Sequence, residues 1–234
     1  MADRYLEPDT AELRERWDNF SWEPQWAEKA RAAIARYPEG RQRSAVMALL
    51  DYAQRQVGAA TNTQGWLPIP VIEFVARELD MPVVRVLEVA TFYTMYNLVP
   101  VGRYHVQVCG TTPCMLRGSD ELIKICKNRI GKQHEISKDG KFTWVEVECM
   151  GACANAPMIQ LANGEGDHYI EDLDAEKFEK LLDDLAAGKK VEFGPQSERN
   201  ASEPHGTSVL SDPSLYDGSK AKKIKLPNTE KAEG

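Results

Sequence analysis

Cys109-Gly-Thr-Thr-Pro-Cys114 and Cys149-Met-Gly-Ala-Cys153 are the two segments that decide how this sequence is interpreted. Together they contain four of the chain's five cysteines. Each close pair can occupy one turn, and the long stretch between the pairs lets the fold bring the two turns together. Such a layout is typical of a metal site with four thiolate ligands. Iron–sulfur clusters accept the wider Cys-x4-Cys spacing more often than zinc does, so the pattern favours a cluster.

The residues between the cysteines suit a negatively charged cluster. A 2Fe-2S centre with four thiolate ligands carries a net negative charge, which requires hydrogen-bond donors around the sulfur atoms. Gly110, Thr111 and Thr112 follow the first cysteine, and Gly151 lies between the last two. These residues permit tight turns whose N–H groups point towards sulfur. Neither segment contains a lysine or arginine, so hydrogen bonds and solvent access are expected to tune the potential.

The cysteines have three other interpretations. Two disulfides, Cys109 with Cys114 and Cys149 with Cys153, are geometrically conceivable, but the absence of a secretion signal favours a reducing compartment. A structural zinc ion fits four cysteines, although it fits this spacing less well. A Rieske-type centre requires two histidines, and neither segment contains one.

Length and charge narrow the class of protein. The chain has 234 residues, which is enough for one or two domains with a real core, and a net charge of -7. This charge argues against a nucleic-acid partner. Residues 83–101 come closest to a membrane span, but Arg85 and Glu88 interrupt the apolar run, so no direct membrane insertion is expected. With no signal or transit peptide recognised, a cytoplasmic location is expected.

Residues 1–97 are expected to form an N-terminal helical domain. Four apolar stripes with helical spacing follow one another between residue 24 and about residue 97. Pro38 should end the first helix and Gly58 the second, while Pro70 and Pro82 should open the third and fourth. Because such short helices are stabilised mainly by packing, the stripes predict a helical bundle.

Residues 98–193 are expected to form an α/β domain, because the apolar period changes at Pro100. The predicted strands are 104–109, 142–149, 158–161 and 168–171, with helices over 119–130 and from Asp174 to Gly188. Cys126 lies in register with the apolar face of the first of these helices, so it is interpreted as a small buried hydrophobic residue. The overall class is therefore α+β, with the cysteines near strand ends.

Residues 194–234 are expected to form a polar tail, extended or disordered. The segment is rich in Ser, Pro, Gly and Lys, and it cannot bury a core of its own. It does contain four large apolar side chains that could anchor on a partner: Val209, Leu210, Leu215 and Tyr216.

Several motifs in order resemble the small iron–sulfur subunit of respiratory NADH dehydrogenase, complex I. They are Glu88-Val-Ala-Thr-Phe-Tyr-Thr-Met-Tyr96, the Pro100-Val-Gly entry to the first strand, Cys-x4-Cys, and Glu148-Cys-Met-Gly-Ala-Cys-Ala-Asn-Ala-Pro157. The resemblance covers about residues 20–190. Met150 stands where the family often has leucine, which is a change that conserves volume.

The resemblance implies one 2Fe-2S cluster in a thioredoxin-like ferredoxin domain behind the helical domain. By position, its ligands are Cys109, Cys114, Cys149 and Cys153, and no catalytic residue is implied on this chain. The implied partners are a subunit that carries the flavin (FMN) and binds NADH, and a neighbouring iron–sulfur subunit.

The implied function is to take one electron at a time from the flavin within a membrane-bound translocase. This chain would be cytoplasmic and peripheral to the inner (plasma) membrane. The isolated chain would be an inactive electron carrier. Two alternatives stay open: an equivalent subunit of a soluble NAD-linked formate dehydrogenase or hydrogenase, and a four-cysteine zinc interaction module.

Overall fold

The structure, a computed structural model, describes residues 6–202. Within this range the first half of the chain is helical and the second half combines a sheet with helices. The helices of the first half are α1 (Ala11–Trp17), α2 (Pro24–Ala35), α3 (Val46–Thr61), α4 (Ile69–Glu78) and α5 (Val83–Phe92), with a 3-10 turn at Gln42–Ala45. No helix in the described range is long and apolar enough to cross a membrane.

The helical half has its own core. Helix α3 lies at its centre, and Leu49, Leu50 and Ala53 are completely buried there. Aromatic side chains from α1 and from the loop before α4 also meet there, with the rings of Trp17 and Trp66 edge to face and their centroids 6.0 Å apart. Because each helix is short, this burial is the main source of its stability.

As far as residue 202, the second half contains one five-stranded sheet, three α-helices and a short 3-10 turn. The strands are β1 (Tyr104–Cys109), β2 (Phe142–Val147), β3 (Ile159–Ala162), β4 (Asp167–Glu171) and β5 (Gly194–Pro195), and the helices are α6 (Thr112–Leu116), α7 (Ser119–Arg129) and α8 (Ala175–Ala186). The strand order is β2-β1-β3-β4-β5. β1 pairs in parallel with β2 and antiparallel with β3, and β3 continues antiparallel to β4. The α+β class is therefore confirmed.

The core of the second half lies between the sheet and helices α7 and α8. Trp144 of β2 and Phe178 of α8 are its largest completely buried side chains. Cys126 is also completely buried there, which confirms its interpretation as a core residue. The Asp174 carboxylate accepts a hydrogen bond from the Lys177 N–H and caps α8 as predicted.

Two of the wrong boundaries affect the packing or the cysteine segments. Helix α3 does not stop at Gly58 but continues to Thr61, because Asn62 in the left-handed conformation, φ 55°, ends it instead. Gly58 has another role, since a Cβ there would lie 2.9 Å from the backbone nitrogen of Gly65. The second difference concerns β2, which ends at Val147, so Cys149 lies two residues beyond the strand and does not close it.

The structure also contains features that the sequence did not predict. Helix α1 precedes the predicted bundle and is capped by the Thr10 hydroxyl. Helix α6 carries Cys114. Residues 194–202, the described part of the predicted tail, begin with the short strand β5 and contact the sheet and its loops through Arg199 and Ser202. The apolar residues of the tail, Val209, Leu210, Leu215 and Tyr216, lie outside the described residues.

The two halves touch along the sheet. The Gln64 side chain accepts a hydrogen bond from the Gly164 N–H at 3.1 Å and donates one to the Arg103 carbonyl. Arg55 of α3 lies 3.5 Å from the carboxylate of Asp167 in β4. The cavity between the halves reaches Cys149, so the helical half lies close to one of the cysteine segments.

Candidate metal centre

The cysteine segments leave the sheet at the same edge. β1 ends at Cys109 and pairs in parallel register with β2, so that Cys109 lies opposite Val147. The Gly110 N–H donates to the Val147 carbonyl at 3.0 Å, which extends the pairing by one residue into the first segment. Because parallel strands end at the same edge, the first segment starts beside the place where the second one starts.

The first cysteine pair is buried. Cys109 closes β1, and Cys114 lies in the middle of α6, which has Pro113 in its first turn. Both side chains are 1% exposed. The Thr111 hydroxyl lies 3.2 Å from the Cys109 sulfur, within hydrogen-bond distance. This pair therefore forms the inner wall of the site.

The second cysteine pair is exposed. Cys149 and Cys153 have their sulfur atoms 3.2 Å apart, and Cys153 opens the 3-10 turn Cys153–Asn155. Gly151 between them has φ 85°, a left-handed conformation that glycine adopts without strain. Its N–H points to the Cys149 sulfur at 3.4 Å, as predicted from the sequence. This pair forms the outer wall.

The two pairs meet over a small apolar cluster. Ala152, Ala156 and Met158 pack with the two buried cysteines, and Met150 and Tyr169 cover the cluster from the side. The Tyr169 hydroxyl donates to the Met150 carbonyl at 2.7 Å, which ties the second segment to β4. Met158 and Tyr169 were not recognised from the sequence, because apolar and aromatic residues in a strand region carry no mark of a cofactor.

The thiols titrate differently because their surroundings differ. Burial raises the pKa of Cys114 to about 12, with the neighbouring Cys109 thiol as the next cause. The Gly151 N–H lowers the pKa of Cys149, and the Cys149 thiol raises the pKa of Cys153. The Thr111 hydroxyl contributes to the lowering at Cys149, and Cys109 contributes to the raising at Cys153. The pKa values of Cys114, Cys149 and Cys153 therefore each depend on a group from the other segment.

The residues present fit a 2Fe-2S cluster. Such a cluster takes four cysteines, two on each iron, and the structure offers two thiol pairs of which one is buried and one exposed. Within residues 6–202, no three side chains of the cysteine, histidine, aspartate or glutamate type are placed to share a single metal ion. All five cysteines are free thiols, and Cys126 lies in the other core, away from the site.

Known proteins resemble this chain in sequence and in structure. Residues 30–186 match the family of thioredoxin-like 2Fe-2S ferredoxins. One subunit of the NADH-quinone oxidoreductase of Rickettsia bellii is 52% identical over 168 residues, which cover 71% of this chain and 95% of the relative. The corresponding subunit from Rickettsia felis is 51% identical over 169 residues, which cover 72% of this chain and 95% of that relative.

Among solved structures, the thioredoxin-like 2Fe-2S ferredoxin of Aquifex aeolicus matches with 23% identity and a TM-score of 0.31, over 38% of this chain and 90% of that one. An NAD+-reducing NiFe hydrogenase in the air-oxidised state matches with 17% identity and a TM-score of 0.48, over 61% of this chain and only 23% of the hydrogenase chain.

The family match spans more than half of the sequence, and the Rickettsia bellii relative is similar along nearly all of its own length. This chain therefore belongs to the thioredoxin-like 2Fe-2S ferredoxin family and, within it, to the ferredoxin-type subunits of NADH-quinone oxidoreductases.

Proposed function

We propose that this chain is the electron-carrying subunit of an NADH:quinone oxidoreductase, in which Cys109, Cys114, Cys149 and Cys153 hold one 2Fe-2S cluster. One observation carries the proposal: two thiol pairs lie on segments that leave neighbouring parallel strands at one edge of the sheet. The match to a family of 2Fe-2S ferredoxins supports the identity of the cofactor.

Each residue of the site has a proposed role in holding the cluster. Cys109 and Cys114 hold the inner side of the site in an apolar setting, while Cys149 and Cys153 hold the side that faces outward. The Gly151 N–H and the Thr111 hydroxyl supply hydrogen bonds to sulfur, and such bonds raise or lower the potential of an iron–sulfur centre. When bound, the cluster supplies storage for one electron.

The proposed partners are a subunit that carries FMN and binds NADH, and a neighbouring iron–sulfur subunit. A flavin accepts hydride and releases electrons singly, so it is the group that can feed a one-electron carrier. Apolar side chains exposed around the site and at the end of α5 support a surface that other subunits cover: Met115, Leu116, Phe92 and Met95. By this proposal the isolated chain carries electrons but does not oxidise NADH.

We further propose that the assembled enzyme is a translocase and that this chain lies on the cytoplasmic side, peripheral to the inner membrane. The name of the Rickettsia bellii relative supports the respiratory context over a soluble formate dehydrogenase or hydrogenase. Co-purification tests it: the native protein should sediment with membranes and detach with the flavin subunit under mild detergent. Recovery of a complex wholly from the soluble fraction, with formate dehydrogenase or hydrogenase activity, would favour the alternative.

We also propose the division into a helical domain, residues 1–97, and a ferredoxin domain, residues 98–193, here extended to Ser202. Two separate groups of buried residues support it, and the group of the helical half also includes Leu98, one residue beyond this boundary. Residues 98–202 expressed alone should fold and show the same cluster spectrum as the full chain. A fragment that folds only when residues 6–97 are added would show that the two halves form one folding unit.

Spectroscopy tests the cofactor itself. The purified chain should show the visible absorption of a 2Fe-2S cluster and an electron paramagnetic resonance signal after chemical reduction. Iron and acid-labile sulfide should be equal, at two of each per chain. Colourless protein that contains one zinc ion per chain would contradict the proposal and support the zinc interaction module.

A further inference from the structure

Residues 194–202 form a strap beyond the part of the chain that matches the family, which ends at residue 186. Gly194 and Pro195 pair in parallel with Ile170 and Glu171 at the edge of the sheet. The Gln196 N–H then donates to the Glu171 carbonyl at 2.9 Å. From there the strap runs towards the 3-10 turn that begins with Cys153.

The strap contacts the turn directly. The Arg199 guanidinium donates to the carbonyl of Ala154 and, at 2.9 Å, to the carboxylate of Asp172. The Asn155 side-chain amide donates to the carbonyl of Asn200 at 2.8 Å. Ala154 and Asn155 are the two residues that follow Cys153, so the strap holds the chain immediately after this cysteine.

Asp172 forms hydrogen bonds both to the strap and to the Cys153–Asn155 turn. Its side chain is only 8% exposed, and its carboxylate accepts hydrogen bonds from the Arg199 guanidinium and, at 2.7 Å, from the Ser197 hydroxyl. Its backbone N–H donates to the Asn155 carbonyl at 2.8 Å. The adjacent Glu171 is completely buried and accepts from the Ser202 N–H at 3.1 Å. Removing the strap would therefore leave two acidic side chains without the donors that it supplies.

The outer cysteine pair needs such support. Cys109 and Cys114 are fixed by burial, whereas Cys149 and Cys153 are exposed. An arginine is suited to this task, because its rigid fork can bond a carbonyl and a carboxylate at once, while a lysine offers a single compact charge.

We propose that the strap clamps the outer half of the cluster site, with Arg199 as the positioning residue that holds the Cys153–Asn155 turn through Ala154 and Asp172. The inference rests on the proposed function, because it assumes that Cys149 and Cys153 are cluster ligands. Its consequence is that the strap would influence how firmly a cluster is retained and how Cys149 and Cys153 are held beside it.

The test uses the full-length, cluster-loaded protein and three variants: Arg199→Gln, Arg199→Lys and Arg117→Gln. Arg117 lines the same cavity as Arg199 and is exposed, so its replacement removes the same charge without touching the turn. The rate of cluster loss to an excess iron chelator is followed by absorbance. Arg199→Gln should lose the cluster roughly tenfold faster, in the range typical of residues that orient metal ligands. Arg199→Lys should be intermediate, and Arg117→Gln should match the unmodified protein.

Two further measurements do not depend on the rate of loss. The electron paramagnetic resonance spectrum of the reduced cluster should broaden or shift in Arg199→Gln but not in Arg117→Gln. In the cluster-free proteins, the Asp172 N–H, which donates to Asn155, should exchange with deuterium faster in Arg199→Gln. If circular dichroism shows that Arg199→Gln does not fold, Ser197→Ala, which removes one donor to Asp172, should show the same changes to a smaller extent.

The outcomes separate the clamp from the function that it serves. Equal rates and spectra in Arg199→Gln and the unmodified protein would overturn the clamp and leave the cluster assignment intact. Equal acceleration by Arg117→Gln would also overturn it, because charge alone would then explain the effect. Absence of any 2Fe-2S spectrum in the unmodified protein would instead overturn the proposed function.

Discussion

Cys109 and Val147 lie opposite each other as the last residues of two parallel strands. This pairing brings the cysteine segments together, since both segments leave the sheet at the same end of its strands. An antiparallel pairing would send the second segment to the far end of the sheet. The parallel register of β1 and β2 is therefore the feature that makes one four-cysteine site possible.

The ligand set is tested by replacing each cysteine with alanine. Loss of Cys109, Cys114, Cys149 or Cys153 should abolish or severely degrade the 2Fe-2S absorption and reduce bound iron, because one of the two irons would lack a thiolate. Cys126→Ala is the matched control and should keep the full spectrum. Because Cys126 is completely buried, its replacement should cost roughly 1 kcal/mol of the free energy of unfolding. Full iron content in Cys149→Ala would refute the ligand assignment.

The purified, flavin-free chain should not react with NADH. NADH gives up a hydride, which carries two electrons, and a cluster that takes one electron needs a flavin between them. Mixing the chain with excess NADH should leave the visible spectrum unchanged, whereas a strong one-electron reductant should bleach it. After the flavin subunit is added, NADH should bleach the visible spectrum of the cluster. Bleaching by NADH alone, in the absence of flavoprotein, would reveal a nucleotide site on this chain.

His105 should make stability depend on pH. It lies in the interior strand β1, is 7% exposed, and burial, with the nearby His134, lowers its pKa to about 4 from an ordinary 6.5. Between pH 6.5 and pH 4, His105 is therefore protonated in the unfolded chain and neutral in the folded chain. The free energy of unfolding falls as the pH drops through this range.

Between pH 7.5 and pH 5, His105 should remove roughly 2 kcal/mol of the free energy of unfolding, since one pKa unit corresponds to about 1.4 kcal/mol. Urea unfolding at both pH values should show this loss in the unmodified protein, and the loss should shrink by that amount in His105→Gln. An equal loss in both proteins would show that His105 does not titrate in this way.

The tail beyond the described residues should contribute to assembly and not to the fold. A chain cut after Ser202 loses Val209, Leu210, Leu215 and Tyr216 but keeps the strap. It should retain its cluster and its unfolding midpoint, while its affinity for the flavin subunit falls, as calorimetry or co-purification would measure. A second cut, after Phe193, removes the strap as well and should also make the cluster easier to remove. Undiminished affinity after the first cut would rule out an anchor.

Much of the fold could be predicted from the sequence because its signals are local. Pro82 before an apolar stripe and Asp174 before another mark helix starts through properties of a single turn, and both predictions are confirmed. The alternation over Tyr104–Cys109 predicted β1 with its correct ends. Cys126 could be assigned to a core because it falls in register with apolar neighbours on one helix.

Other features could not be predicted, because they depend on contacts between distant parts of the chain. Gly58 locally indicates the end of a helix, yet α3 continues through it, and the missing side chain makes room for Gly65. The short helix around Cys114 has too few residues for a periodic signal and is fixed by the burial of that cysteine.

The sequence by itself predicted the chemistry of the site, since four cysteines in two close pairs favour a centre with four thiolate ligands. Only the tertiary structure decided that Cys109 and Cys114 are buried while Cys149 and Cys153 are exposed. It alone also showed that Arg199 reaches the turn after Cys153. The physical reason is that spacing records which residues can share a turn, whereas burial and hydrogen bonding between distant residues arise only when the sheet and its strap have formed.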